Sequence, residues 1–123
     1  MMRWFYLKFL SNFNCVHVFG NAYVSSSALI RGNAVVKDNA EVCRLAFVNG
    51  NAVVGGAARV EGYAWISDHA SINGYAIIED GAWVAGNAEV DGWAIIAGSA
   101  RLEGDVTFSA GRIWEVHWWR DIP

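Results

Sequence analysis

Apolar residues recur along the chain with a period of six rather than with the spacing of a helix face. Alanine occupies every sixth position from Ala22 to Ala100, and a Val, Ile or Leu follows two residues after each of these alanines. Cut from residue 14 to residue 109, this frame gives 16 hexads, and Gly stands two residues before the alanine position in 10 of them. Asn often follows the Gly, so the repeated unit is G-N-A-x-V-x.

A six-residue unit of this kind predicts a short strand followed by a corner. Alanine and the aliphatic residue two places later lie on the same side of a strand, because side chains alternate between its two faces. Gly and Asn tolerate the positive φ angle of a tight corner. Three strands and three corners make one coil of 18 residues, and stacked coils pair as parallel strands about 4.8 Å apart. We therefore predict an all-β, single-domain triangular solenoid of about five coils over residues 14–109.

The repeat resembles that of the hexapeptide-repeat proteins, which fold as a left-handed parallel β-helix. Its G-N-A-x-V form is most similar to a bacterial and phage subgroup of the YdcK type, whose members are often labelled as transferases. The resemblance covers residues 14–109, and the short aromatic segment that follows, residues 110–114 and Trp118, looks like the tail of that subgroup. We accordingly divide the chain into an N-terminal cap (1–13), the β-helix (14–109) and an aromatic C-terminal tail (110–123).

Composition narrows the classes of function that such a solenoid serves. Of the 123 residues, 54% are hydrophobic and 17% are charged, a balance that excludes intrinsic disorder. The formal net charge of −3 is too small to indicate a nucleic-acid-binding surface. No apolar run approaches the ~20 residues of a membrane span, so we expect no membrane contact and a cytoplasmic location. Two cysteines, Cys15 and Cys43, do not make a disulfide framework.

Because the inward columns are uniform, we expect function on the outward positions, which stack every 18 residues. One face carries a column of large apolar residues that ends in a charge: Leu29, Phe47, Trp65, Trp83 and Arg101. Leu45 and Tyr63 flank this column at the neighbouring corner. A second apolar cluster joins another corner to the next face: Tyr75, Ile77, Trp93 and Ile95. The same spacing places Ile113 in the outward column of that face.

Apolar patches of this size are rarely left in water by a monomer. We interpret both clusters as contact surfaces, within a homo-oligomer (a dimer or a trimer) or with a different protein, with tryptophan as the anchor. The alternative is that the aromatic terminal segments fold back and cover them. Those segments are also expected to cap the open ends of the solenoid. The N-terminal segment has too few cations, Arg3 and Lys8, for an amphipathic membrane anchor.

The resemblance also suggests two kinds of catalytic activity to consider, acyl transfer and carbonate hydration. Hexapeptide-repeat acyltransferases typically use a His as general base and carry an inserted loop, whereas the register here is unbroken from residue 14 to residue 109. The candidate pair is His69 with Asp68, and we favour the interpretation that His69 replaces Asn in a corner column. The γ-type carbonic anhydrases bind zinc through three His, and the spacing of His17, His69 and His117 departs from that pattern. We expect no metal and no cofactor.

The sequence thus favours a non-catalytic scaffold or protein-interaction module of bacterial or phage type. One alternative is an acyltransferase-like enzyme whose site lies at a subunit boundary. Another is a phage-encoded inhibitor that binds a host protein through its aromatic column. For the scaffold and the inhibitor, the partner is a protein or a second copy of the chain.

Overall fold

The computed structural model describes residues 17–113 and the strand Trp118–Trp119. These residues form 18 strands of two residues each, joined by corners, and none of them is helical. The described part of the chain therefore has no helix with the length and apolarity needed to cross a bilayer. The predicted N-terminal cap (1–13), Cys15 and the tail residues 114–117 and 120–123 lie outside the described residues.

Three parallel sheets run along the solenoid, and each contains every third strand of the chain. Sheet A consists of β1 (His17–Val18), β4 (Val35–Val36), β7 (Val53–Val54), β10 (Ser71–Ile72), β13 (Glu89–Val90) and β16 (Thr107–Phe108). Sheet B consists of β2 (Tyr23–Val24), β5 (Glu41–Val42), β8 (Arg59–Val60), β11 (Ile77–Ile78), β14 (Ile95–Ile96) and β17 (Arg112–Ile113). Sheet C consists of β3 (Leu29–Ile30), β6 (Phe47–Val48), β9 (Trp65–Ile66), β12 (Trp83–Val84), β15 (Arg101–Leu102) and β18 (Trp118–Trp119).

The register of these sheets follows the predicted coil of 18 residues. In sheet A, for example, Val35 pairs with Val53, and Val53 pairs in turn with Ser71. One coil therefore contributes one strand to each sheet, and every side chain lies next to its counterpart in the following coil. The prediction of an all-β parallel solenoid of about five coils is confirmed.

The interior consists of the two inward columns of the repeat. All the alanines of the frame from Ala22 to Ala100 are at most 2% exposed, and so are the aliphatic residues two places after them. The solenoid has a narrow triangular cross-section, which leaves room only for a methyl group near each corner. Stiff, branched side chains fill the space between the strands. No polar or charged side chain among the described residues is buried. The core stabilises the coils, and polar chemistry is confined to the outer surface.

Apart from the corner at Ser26, the described corners turn through a residue with positive φ, which is Gly at most of them. At Gly74 (φ 66°) neighbouring coils also approach closely, since a Cβ there would lie 2.5 Å from the backbone nitrogen of Gly92. Gly thus meets both a conformational and a steric requirement. Four of the described corners have a different residue at this position, with φ of 60–61°: Asp38, Arg44, Asp68 and Asp80.

The corner between β16 and β17 is one residue shorter than the earlier corners, and this changes the orientation of Ile113. Arg112 pairs with Ile95, a spacing of 17 residues instead of 18. Ile113 therefore enters the core, where it is 6% exposed, and Arg112 takes the outward position. The prediction that Ile113 points outward was wrong, because residues 109–111 make a three-residue corner where the earlier corners have four. The following strand keeps the shift, since Arg101 pairs with Trp118.

We expect Val54→Asp to prevent folding, because Val54 is 0% exposed and an unpaired buried charge costs several kcal/mol. Val53 provides the matched control, since it is the outward residue of the same two-residue strand. Val53→Asp should fold and melt cooperatively. Circular dichroism with thermal melting measures both variants, and a cooperative melt of Val54→Asp would refute the inward assignment of its column.

Candidate interaction surface

The outer surface of sheet C carries the aromatic column that the sequence predicts. Pairing between successive strands stacks the outward residues in one column along the solenoid: Leu29, Phe47, Trp65, Trp83 and Arg101. Leu29 and Trp65 are each 41% exposed, whereas Phe47 and Trp83 are half-buried. A continuous apolar ridge therefore crosses four coils and ends in a guanidinium group.

The rings of this ridge pack on one another. Phe47 meets Trp65 edge to face, with ring centroids 5.0 Å apart at 83°, and Trp65 stacks on Trp83 at 5.2 Å and 14°. The Cζ atom of Arg101 lies 4.2 Å from the Trp83 ring centroid. Because aromatic pairs contribute about 0.5–1.5 kcal/mol each and a cation over a ring about 0.5–1 kcal/mol, the ridge itself stabilises the stacking of coils.

These ring contacts cover part of each ring, and Trp65 keeps 41% of its surface exposed. Leu45 and Tyr63, at the adjoining corner, are the more accessible, with 52% and 70% of their surface exposed. We call the ridge together with Leu45 and Tyr63 the aromatic face. Its composition suits contact with another macromolecule, because it combines large apolar side chains with a charge at one margin.

A shallow groove borders the aromatic face at the corner between sheets B and C. It encloses about 430 Å³ and is lined by Arg44, Glu61, Gly62, Tyr63, Glu79 and Asp80. The Asp80 carboxylate accepts a hydrogen bond from the backbone N–H of Gly98 at 3.1 Å. With three carboxylates and one guanidinium, the groove gives the aromatic face an acidic margin.

The second predicted cluster lies on sheet B and on the corner between sheets A and B. Tyr75 stacks on Trp93 with ring centroids 4.4 Å apart and an interplanar angle of 8°. These two rings are 55% and 70% exposed, while the paired residues Ile77 and Ile95 are half-buried. The cluster is confined to the fourth and fifth coils, so it is smaller than the aromatic face and lies nearer the C-terminal end.

His69 belongs to a polar ladder at the corner between sheets C and A. Asn33 donates to Asn51 at 3.4 Å, and the Asn51 amide meets His69 Nε2 at 3.2 Å. The Asp68 carboxylate accepts a hydrogen bond from the backbone N–H of Gly86 at 3.0 Å and does not orient the imidazole. The two candidate catalytic residues therefore each join one coil to the next, as expected for a His that replaces Asn.

Three of the four corners with a non-glycine residue at positive φ share one capping contact. A carboxylate at positive φ accepts a hydrogen bond of 3.0–3.1 Å from the backbone N–H one coil later, in the pairs Asp38–Gly56, Asp68–Gly86 and Asp80–Gly98. Asp tolerates this conformation, and the contact compensates for its cost. Arg44 has φ of 60° and no carboxylate to make such a bond, so it is the strained corner beside the groove.

Cys43 shows none of the activation that a nucleophilic thiol needs. Burial raises the pKa of the Cys43 thiol, and the carboxylates of Glu41 and Glu61 raise it further. The thiol is therefore protonated at neutral pH, whereas reactive cysteines have a lowered pKa. Within residues 17–113, no three side chains of His, Cys, Asp or Glu are placed to hold a metal ion.

The chain matches no protein-family model, no curated protein and no solved structure. Its architecture, a parallel β-solenoid consistent with a hexapeptide-repeat β-helix, follows from the repeat and from the pairing of its coils. Its function has to be inferred from the surface, where the aromatic face is the largest apolar feature of the described residues.

Sequence spacing located both apolar clusters but missed the features around them. The groove was not predicted because Arg44, Glu61 and Glu79 belong to no motif that marks a site in the sequence. One signal was available: Arg44 stands where the repeat usually has Gly, and a bulky residue at such a corner is uncommon. The contacts of His69 and Asp68 depend on the neighbouring coils, so their geometry could not be read from their adjacency in sequence.

Replacing His69 by Asn tests its assignment to the polar ladder. We expect His69→Asn to leave the free energy of unfolding within about 0.5 kcal/mol of the original, because an Asn side chain can bond Asn51 as Asn51 bonds Asn33. Urea denaturation measures the difference. Asn51→Ala, which removes both ladder contacts, serves as the comparison and should be less stable by about 1 kcal/mol. A larger loss in His69→Asn than in Asn51→Ala would rule out the ladder role.

The strained corner gives a second prediction. Arg44→Gly should raise the free energy of unfolding by about 1 kcal/mol, because Gly adopts φ of 60° without a steric penalty. Asp80→Gly is the control: it relieves the same conformation but loses the bond to Gly98, so little net gain is expected. Urea denaturation compares the two variants. A destabilised Arg44→Gly would mean that contacts of the Arg44 side chain outweigh the strain.

Proposed function

We propose that this chain is a non-catalytic binding module, a rigid β-solenoid that holds a protein partner against its aromatic face. The observation that carries the proposal is the exposure of large apolar side chains: Leu29, Leu45, Tyr63 and Trp65 are 41–70% exposed. They lie together across three successive coils and form one patch. Covering such a patch is favourable, because it removes apolar surface from water.

The packing of Trp65 supports its role as the anchor of this contact. Its ring lies between Phe47 at 5.0 Å and Trp83 at 5.2 Å. A side chain that is already held in place loses little conformational entropy when a partner binds. Central, well-packed tryptophans are also the residues that most often dominate binding energy. Arg101, at the end of the ridge, suits the polar margin of the contact.

The candidate catalytic residues support binding rather than acyl transfer. His69 and Asp68 both make hydrogen bonds between coils, to Asn51 and to Gly86 respectively. A general base needs its acceptor atom directed at a substrate and a partner that orients it. In this pair the Asp68 carboxylate bonds Gly86 instead of the imidazole, so Asp68 does not supply the orienting contact.

We further propose that the chain belongs to the G-N-A-x-V subgroup of hexapeptide-repeat proteins, of bacterial or phage origin. The uninterrupted repeat supports this, as do the two strands of the aromatic tail, Arg112–Ile113 and Trp118–Trp119, which continue sheets B and C. In that setting the partner is a second copy of the chain or a different protein, such as a host protein bound by a phage-encoded inhibitor.

Photo-crosslinking from the aromatic face tests the proposed function. Tyr63 is replaced by p-benzoylphenylalanine, an aromatic residue that forms a covalent bond with a contacting protein on irradiation. Tyr63 is suitable because it is 70% exposed. We expect one discrete protein adduct when the variant is irradiated in its native host. The same replacement at Glu89, an exposed position on sheet A, is the control and should give none.

A second variant separates binding from folding. Leu45→Glu in the crosslinking chain should remove the adduct and leave the melting temperature unchanged, because Leu45 is 52% exposed. Trp65→Glu is less informative, since it also breaks ring contacts worth about 0.5–1.5 kcal/mol each. Absence of an adduct at Tyr63, or an equal yield at Glu89, would refute the proposal.

A further inference from the structure

Sheet C has six strands, and the first five of them, with their margins, form a regular array of five rows; the sixth, Trp118–Trp119, continues the sheet beyond Arg101. Each row contains a corner residue, the outward strand residue and the residue after the strand, and rows lie about 4.8 Å apart. In chain order the rows are Ser27–Leu29–Arg31, Leu45–Phe47–Asn49, Tyr63–Trp65–Ser67, Gly81–Trp83–Ala85 and Ser99–Arg101–Glu103. The Arg101 Nε atom lies 3.7 Å from a Glu103 carboxylate oxygen, so Glu103 reaches the same face as Arg101.

We infer that the partner on the aromatic face is a second copy of this chain, packed antiparallel about a two-fold axis through the row Tyr63–Trp65–Ser67. The inference rests on the proposed function and names its partner. In this arrangement each column of one copy lies against the same column of the second copy, which runs in the opposite direction. The first row of one copy then meets the fifth row of the other, and the second row meets the fourth.

Side-chain size is complementary in this arrangement. Leu45, which is 52% exposed, faces Gly81 of the second copy, where there is no side chain. A Cβ added to Gly81 would meet nothing closer than a backbone oxygen at 3.6 Å, so this position offers open space. Phe47 faces Trp83 of the second copy, and Trp65 lies at the centre of the contact.

Charge is complementary as well. Arg31 is exposed and faces Glu103 of the second copy, and the two-fold axis creates this pair twice. Arg101 faces Leu29 of the second copy rather than another charge. If the copies instead packed in parallel about an axis along the solenoid, Arg101 would face Arg101 of the second copy. Like charges across an interface are strongly unfavourable, so the antiparallel arrangement is preferred.

A three-fold ring of parallel copies that packs sheet C of one copy against sheet B of the next is disfavoured, because it would bring unlike residues together at equal height along the axis. The apolar pair Phe47 and Trp65 would then meet Glu41 and Arg59, which form an ion pair at 3.7 Å. The apolar residues of sheet B lie in the fourth and fifth coils, beyond the centre of the aromatic face.

The available area is sufficient for a stable dimer. The exposed parts of Leu29, Leu45, Tyr63 and Trp65 amount to roughly 400 Å² per chain. A standard interface buries about 800 Å² per partner. The half-buried rings of Phe47 and Trp83 and the surrounding polar residues supply the remainder, which gives an apolar centre with a polar margin.

Charge reversal tests the antiparallel pairing. We expect the original chain to sediment as a dimer, and Arg31→Glu and Glu103→Arg each to weaken dimerisation about 100-fold, because each variant sets like charges together twice. An equimolar mixture of the two variants should restore the dimer, since each charge then meets its opposite. The double variant Arg31→Glu/Glu103→Arg should also be a dimer. Sedimentation equilibrium over a range of concentrations measures all five samples.

Two controls accompany the measurement. Glu89→Arg reverses a charge on sheet A and should leave the dimer unchanged. Thermal melting checks the fold, because Glu103→Arg also removes the contact with Arg101. Arg31→Glu breaks no ion pair among the residues that the structure describes, so it tests the pairing by itself if Glu103→Arg is destabilised.

The outcomes separate the inference from the proposed function. A monomeric original chain, or a trimer, overturns the inference, and so does a dimer that Arg31→Glu does not weaken or that the mixture does not restore. The mass of the Tyr63 crosslink then decides the wider proposal. An adduct with a different protein would leave the binding module standing without self-association, whereas the absence of any adduct would overturn both.

Discussion

The structure depends on one constraint, the parallel pairing of successive coils at about 4.8 Å. Backbone bonds such as Val35 N–H to the Ala52 carbonyl, at 3.0 Å, tie each coil to the next. Every residue must therefore tolerate its counterpart one coil away. Inside, only Ala and branched aliphatic residues meet that condition in so narrow a section. At the corners the same constraint favours Gly, or an Asp that bonds the next coil.

On the outer surface, this pairing aligns equivalent side chains of successive coils in columns. Asn bonds Asn, Trp stacks on Trp, and Tyr75 stacks on Trp93 because each lies one coil from the other. Columns make extended, fairly flat surfaces, which suit contact with another macromolecule. Among the described residues all polar side chains lie on this surface, and none is buried in the core. The polar groups of the described residues are therefore available only on the outer surface, where they are arranged in columns.

The aromatic face serves the fold and offers a surface for contact at the same time. Phe47, Trp65 and Trp83 stabilise one another through ring contacts, so part of each ring is already covered. Leu45 and Tyr63 are different, because they are largely exposed and stand beside the ridge. For the proposed contact, substitutions at these two corner residues therefore test binding by itself, whereas substitutions within the ridge test binding and stability together.

The amino-acid sequence by itself determined the coil, the inward columns and the ten outward residues of the two clusters, because alternation along a strand and a six-residue repeat are local properties. Only the tertiary structure decided that Ile113 turns inward, since a corner of three residues closes the coil as well as one of four. It also decided that Asp68 bonds Gly86 and not His69. Those features arise between coils, where residues distant in sequence meet through space.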